Sequence, residues 1–278
     1  MNLFYIKLLD SFKSKKIIKV ISGLETFNIG KIYKMLKAAD IAQASYIDLP
    51  ANIKIISFLK KVTNLPLCVS SIDPLELYNC VMNGANIVEI GNFDIFYEKQ
   101  INFSAFDILE LAIETRKLVY SKDICVTIPH ILNLYEQSYL AKKLEKLGIN
   151  FLQTEGLHWD IDNSYIAVHN YKYDMISKSC HIASPTLSST YLVSSSVNIP
   201  VIASSKINCI SSSVAFSNGA SGIGIKSAIY HRTTIYQMSL YLSEIFYMTD
   251  VFIKLHYKPQ LICGINKNKI RIQKQIVY

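Results

Sequence analysis

Eight short runs rich in Ile, Val and small residues recur along the chain, at 17–22, 45–49, 66–70, 86–90, 124–128, 149–154, 200–204 and 221–225. Each is followed by a segment of helical length. Strands that are apolar throughout suit a parallel sheet covered on its faces by helices. Eight such units in order predict a closed (β/α)8 TIM barrel, an α/β fold, because an open sheet rarely repeats its unit so evenly. The 278 residues fit a single domain of this kind, which typically takes about 250. A doubly wound open sheet is the alternative; no glycine-rich dinucleotide fingerprint follows the first run, which counts against it.

The intervening segments carry helix signals. Over 103–119, Phe106, Leu109, Leu111, Ile113 and Leu118 predict an apolar face, and Asp107, Glu110, Glu114, Arg116 and Lys117 a polar one. Ser104 is the expected N-cap. Gly148 is the expected stop of a helix over 133–147. The longest connection, from Gly156 to about Ser184, holds His158, Trp159, Asp160 and Asp162. A loop of that length at the catalytic face is expected to be a lid or a disordered segment.

The charge divides the chain. Residues 1–16 carry net +3 and 249–278 net +5, whereas 17–248 balance 19 basic against 19 acidic side chains. A nucleic-acid binder should carry its basic stripe on the folded body. The excess here lies in two short extensions, 1–16 and 249–278, around a barrel at 17–248. They read as solvated tails, and nucleic acid is not the expected partner.

The run Leu3 to Leu9 is short, is broken by Lys7 and lacks a small-residue cleavage site, so it is not a secretory signal. Between Ser179 and Ile225 only Lys206 is charged. Pro185, Pro200, Gly219 and Gly222 interrupt that stretch, which predicts buried strands and helices rather than a membrane span. The six cysteines show no Cys-x-x-Cys pairing, hence no zinc signature and no disulfide framework, and a reducing compartment fits best. Cys68 and Cys125 read as small core residues.

Four ionisable residues interrupt the strand runs: Lys19 in the first, Asp48 in the second, Glu89 in the fourth and Glu155 just past the sixth. None would be stable against an apolar helix layer, so each is expected to face the lumen. One cation and up to three carboxylates would then converge, a constellation suited to acid–base work. The competing reading is a structural ion pair of Lys19 with Glu89 or Asp48. Lys19 forms a Schiff base only if deprotonated, which adjacent carboxylates oppose.

His130 follows the fifth run and can act as general acid or base near neutral pH. Gln153-Thr-Glu155-Gly156 ends the sixth run in polar side chains, and Gly91-Asn92 ends the fourth abruptly before a helix. Gly222 and Gly224 suit close backbone approach, with Lys226 and Ser227 entering the next helix. With Ser204 and Ser205 they form a candidate phosphate cup after strands seven and eight.

Taken together, Lys19-Val-Ile-Ser-Gly-Leu24, Pro66-Leu-Cys-Val-Ser70, Val88-Glu-Ile-Gly-Asn-Phe-Asp94 with Phe96-Tyr97, Glu114-Thr-Arg116, Thr127-Ile-Pro-His130, Gln153-Thr-Glu-Gly156, Pro185-Thr-Leu187 and Gly222-Ile-Gly224 resemble one family, from about residue 17 to 240. It is the hypothetical chloroplast reading frame twenty-three family of algal plastids and cyanobacteria. The resemblance implies a TIM barrel located in the plastid stroma, similar to the phosphate-binding barrels that include lyases, isomerases and synthases. It also implies glycines where this chain has Ser205 and Lys226. Lys226 would then meet a phosphate as a point charge.

The expected activity is binding of a small phosphorylated metabolite at the C-terminal face, as a lyase or isomerase, with Glu89, Asp48 and His130 as acid–base groups and Lys19 as electrostatic partner. The alternative is a non-catalytic metabolite-binding or regulatory protein. No residue pattern identifies a cofactor or an oligomeric state.

Overall fold

The runs become strands because β-branched residues pack well on a pleated surface buried on both sides. In the computed structural model, which describes residues 3–24, 27–91, 93–156 and 175–257, they are β1 (Ile17–Ile21), β2 (Tyr46–Pro50), β3 (Leu67–Ser71), β4 (Ile87–Ile90), β5 (Asp123–Ile128), β6 (Phe151–Thr154), β7 (Val201–Ala203) and β8 (Gly222–Ile225). Each bound falls within two residues of its sequence expectation. All neighbours pair in parallel, and β8 pairs with β1 to close the barrel.

The helices between them are α2 (Ile29–Ile41), α3 (Ile53–Leu59), α4 (Pro74–Met82), α5 (Asp94–Glu98), α6 (Ala105–Leu118), α7 (Leu134–Lys146), α8 (Met175–Ser196), α9 (Ser212–Ser217), α10 (Ser227–Tyr230) and α11 (Ile235–Tyr257). Capping boxes at Ser104–Asp107 and Asn133–Glu136 start α6 and α7. Gly148, at φ 85°, lies just beyond the end of α7. Among the described residues no helix is long and apolar enough to cross a membrane.

Strand alternation separates two cores. Val20, Ile47, Val69, Val88, Val126, Leu152 and Ile223 pack outward with the helices. Ile17, Tyr46, Cys68, Ile87, Cys125, Phe151 and Ile202 fill the lower lumen. That lower layer is sealed by residues 3–13. A 3-10 turn (Ile6–Leu8) and α1 (Leu9–Lys13) bring buried Leu8 and Phe12 against it, Phe12 5.0 Å from the Phe151 ring. The Asp123 carboxylate accepts the amides of Phe4 and Tyr5, at 2.9 and 2.8 Å. Residues 3–13 are therefore a plug, not a solvated tail.

The C-terminal boundary also moves. α11 continues past 248 to Tyr257, burying Phe252 and Ile253. Asp250 pairs with Lys16 at 2.6 Å and Lys254 at 2.5 Å, so it links α11 to the segment just before β1. Residues 258–278 lie outside the described residues, as do Cys263 and His158, Trp159, Asp160 and Asp162.

Two further expectations are corrected. The buried face of α6 is Ile108, Ala112 and Thr115, a helical spacing whose small residues let the helix sit close to the sheet. Phe106 and Leu118 are exposed and Leu109, Leu111 and Ile113 only half-buried. The connection after β6 is shorter than expected, because α8 begins at Met175 and runs through Pro185.

Candidate active site at the barrel mouth

One lumen layer above the apolar floor is polar. Lys19, Asp48 and Glu89 come from β1, β2 and β4, and their side chains are 0, 1 and 0 % exposed. The Lys19 ammonium contacts Glu89 Oε2 directly, lies 3.3 Å from Asp48 Oδ2 and donates to Gln153 Oε1 at 2.8 Å. Ser70 Oγ donates to Asp48 Oδ1 at 2.5 Å. Glu89 Oε1 accepts from Thr127 Oγ1 at 3.1 Å and Gln153 Nε2 at 2.9 Å.

Burial alone would lower the Lys19 pKa, but the Asp48 and Glu89 carboxylates outweigh it and hold Lys19 above the ordinary lysine value. The two carboxylates thus favour the ammonium form of Lys19, which opposes Schiff-base formation. Burial raises Glu89 above the ordinary carboxylate value, with Lys19 opposing and Asp48 adding to the rise. Asp48, Cys68 and Glu89 bring ligand atoms within 4.8 Å of one another, a metal-like spacing. The cation these carboxylates face is Lys19.

Gly91 continues the lumen face of β4. A Cβ there would stand 2.2 Å from Thr127 Oγ1, the hydroxyl that holds Glu89, so glycine is required by that close approach.

Nearer the open end a second group gathers. Glu155 Oε1 accepts from the Tyr97 hydroxyl at 2.6 Å and the His130 amide at 3.1 Å, and lies 3.1 Å from His130 Nδ1. The Tyr97 and His130 rings meet edge-on, 4.4 Å between centroids. Burial, then Glu155, pushes the Tyr97 hydroxyl far above the ordinary tyrosine value, so it stays a donor. His130 and Glu155 side chains retain 12 and 7 % exposure.

Tyr97 belongs to α5, whose Asp94 pairs with Lys226 at the end of β8, 3.0 Å apart. In an eight-stranded ring β4 and β8 stand opposite each other. The short helix α5 therefore lies over the mouth, tied to the end of β6 through Tyr97 and to the end of β8 through Asp94. Phe93 anchors its base against Phe103, 5.1 Å between rings.

The expected phosphate cup is only partly assembled. Gly222 sits in the lower lumen, where a Cβ would meet Ile17 at 2.5 Å, and Gly224 packs under Ser204 and Ile21. Both are buried, and the close approach at each is to residues in or next to the neighbouring strands. Ser205 and Lys206 adopt φ of 77° and 59°, the left-handed region that glycine favours, so the bend survives without glycine. Thr186 Oγ1 donates to the Ser205 carbonyl at 2.9 Å. Ser204 is buried, and Ser227 is exposed as the first residue of α10. Asn92 lies outside the described residues. Two surface cavities, of about 450 Å³ beside Cys209, Leu240 and Tyr247 and about 470 Å³ beside Tyr5, Lys16 and Asp40, lie away from the mouth.

A family model described as "Protein of unknown function (DUF561)" matches residues 2–253. The chain belongs to the DUF561 family. Its relatives there are algal plastid proteins named "Uncharacterized protein ycf23". That of Antithamnion sp. is 49% identical over 250 residues, covering 90% of each chain. That of Cyanophora paradoxa is 42% identical over 241 residues, covering 85% of this chain and 94% of its own.

Solved structures extend the DUF561 fold to enzymes. Thiamine phosphate pyrophosphorylase from Pyrococcus furiosus superposes with TM-score 0.53 at 15% identity, covering 86% of this chain and 98% of its own. The 3-keto-L-gulonate-6-phosphate decarboxylase of Vibrio cholerae gives 0.55 at 12%, covering 85% and 98%. At such identities the likeness shows a TIM barrel and no more.

Sequence reasoning about this DUF561 chain named Lys19, Asp48, Glu89, Gln153, His130 and Glu155, and the structure brings the first four into one network and the last two into another. It passed over Ser70, Thr127 and Tyr97 as site residues. Ser70 and Thr127 share the lumen parity of Cys68 and Cys125, a signal period-two alternation carries. Nothing local places Tyr97 beside a residue 58 positions on.

Proposed function

We propose that this chain binds a small phosphorylated metabolite at the C-terminal end of its barrel, in the plastid stroma, and acts on it as a lyase or isomerase. The observation that carries the reading is the His130–Glu155 pair at the open end. Glu155 accepts from Tyr97 and from the His130 amide, which hold its carboxyl group beside the imidazole. A carboxylate 3.1 Å from His130 Nδ1 selects the tautomer protonated there. Nε2 is then left as the proton acceptor, the base that lyase and isomerase steps need beside a carbonyl. Lys19, Asp48 and Glu89 are sealed beneath this pair and fix the floor of the site rather than touch the metabolite. Lys226, Ser205 and Ser227, at the ends of β7 and β8, are the candidates to meet the phosphate. Two fold neighbours whose names include phosphate support that ligand class.

Native mass spectrometry of the protein from its own host, followed by turnover of the co-purifying ligand, tests the reading. His130→Ala and Glu155→Gln should each lower turnover by about 10²- to 10⁴-fold. A ligand without phosphate, or undiminished turnover by His130→Ala, overturns it. The cover that α5 places over a sealed charged layer favours a second reading, a metabolite sensor without chemistry. Any turnover of the bound ligand sinks that one.

A further inference from the structure

We propose that α5 is a lid latched by the Asp94–Lys226 ion pair, and that an anionic ligand group opens it by taking Asp94's place on Lys226. The inference rests on the proposed phosphorylated ligand and names the cation it meets first and the group it displaces.

Three observations carry it. The pair joins opposite strand ends, β4 to β8, so it must cross the mouth. Its side chains are 42 and 57 % exposed, unlike the buried Lys19–Asp48 and Lys19–Glu89 pairs, so solvent ions reach it. The second tie of α5 is a different kind of contact, the part-buried Tyr97–Glu155 hydrogen bond on the acid–base pair itself. Releasing Asp94 frees the exposed corner of α5 while Tyr97 and Phe93 still hold the rest.

Magnitude decides between a latch and a permanent closure. An exposed ion pair contributes between nothing and about 1 kcal/mol. A phosphate group offers more charge and more acceptor oxygens than one carboxylate. The exchange is therefore within reach of a ligand that binds weakly. A buried pair such as Lys19–Glu89 would not exchange, because breaking it strands a desolvated charge. Lys206, at the end of the neighbouring β7, adds a second cation on the same side of the mouth.

Calorimetric titration with inorganic phosphate at fixed ionic strength tests this on the full chain, wild type against Asp94→Asn and Lys226→Met. Both residues are at the surface, so the variants should fold. Asp94→Asn should bind phosphate about two- to fivefold more tightly, the factor an exposed pair of up to about 1 kcal/mol converts to. Lys226→Met should bind at least about tenfold more weakly. Phosphate should also speed hydrogen exchange of the 93–98 amides in the wild type. Equal or weaker binding by Asp94→Asn, or unchanged exchange, overturns the latch but leaves the phosphorylated-ligand reading standing. No phosphate binding by wild type and Asp94→Asn alike overturns both.

Discussion

Replacing Lys19 with Met removes the cation that, among the described residues, pairs with both Asp48 and Glu89. At an effective dielectric of about 20, a charge pair near 4 Å is worth roughly 4 kcal/mol, and Lys19 makes two such pairs. Part of that is offset by the ammonium's own desolvation, so the expected net loss is about 3–5 kcal/mol. Against a total stability of about 5–15 kcal/mol this is large, and it should lower Tm by roughly 6–20 °C. The sign with pH follows from the carboxylates. Without Lys19, Glu89 loses the cation that opposes the rise burial gives it, so its folded pKa stands above the unfolded one of about 4. Such groups favour the fold below the unfolded value and oppose it as pH rises through the folded value. The penalty of Lys19→Met should therefore be greatest near pH 8 and shrink toward pH 5. Urea unfolding followed by circular dichroism, at equal slopes, measures it. A loss below about 1 kcal/mol at pH 8, or one independent of pH, refutes the dry ion network. The triple variant Lys19→Met, Asp48→Leu, Glu89→Met should recover most of the loss.

Gly91→Ala should cost about 1–3 kcal/mol, and the added Thr127→Ala should return a large part of it, because the clash is with that side chain; thermal melts of the single and double variants check this. Phe12→Ala should cost about 3–5 kcal/mol by opening a cavity against Phe151, read from urea midpoints. Asp250 is held down to about 2 by hydrogen bonds from Lys16 and Lys254. A depressed carboxylate stabilises above its unfolded pKa and stops doing so as pH falls through the folded one. Asp250→Asn should thus cost at most about 1 kcal/mol at pH 7, discounted for solvent exposure, and nothing below pH 2 by denaturant titration.

The barrel was legible because strand type, strand number and the spacing of units are all local patterns. Lys19, Asp48 and Glu89 were legible because a charge inside an apolar strand has one tolerable direction. The glycines of β8 were read as suiting close approach by a ligand; the atoms nearest a Cβ there belong to Ile17, Ile21 and Ser204, contacts that sequence does not disclose. The helix face of α6 misled because large apolar side chains outweighed the small ones that allow contact. The plug and the lid were out of reach of sequence, since Phe4 meets a residue 119 positions away and Asp94 one 132 away.

The plug has a consequence for how this chain is made. Phe4 and Phe12 are made more than a hundred residues before their partners Asp123 and Phe151. At about 5–20 residues per second the wait is roughly 7–30 s. Throughout it, the nascent chain displays Leu8 and Phe12 with nowhere to settle. That makes residues 3–13 a natural handle for a ribosome-associated chaperone. It also makes residues 3–13 a poor place for a bulky insertion, which would have to be drawn up against the underside of a finished barrel.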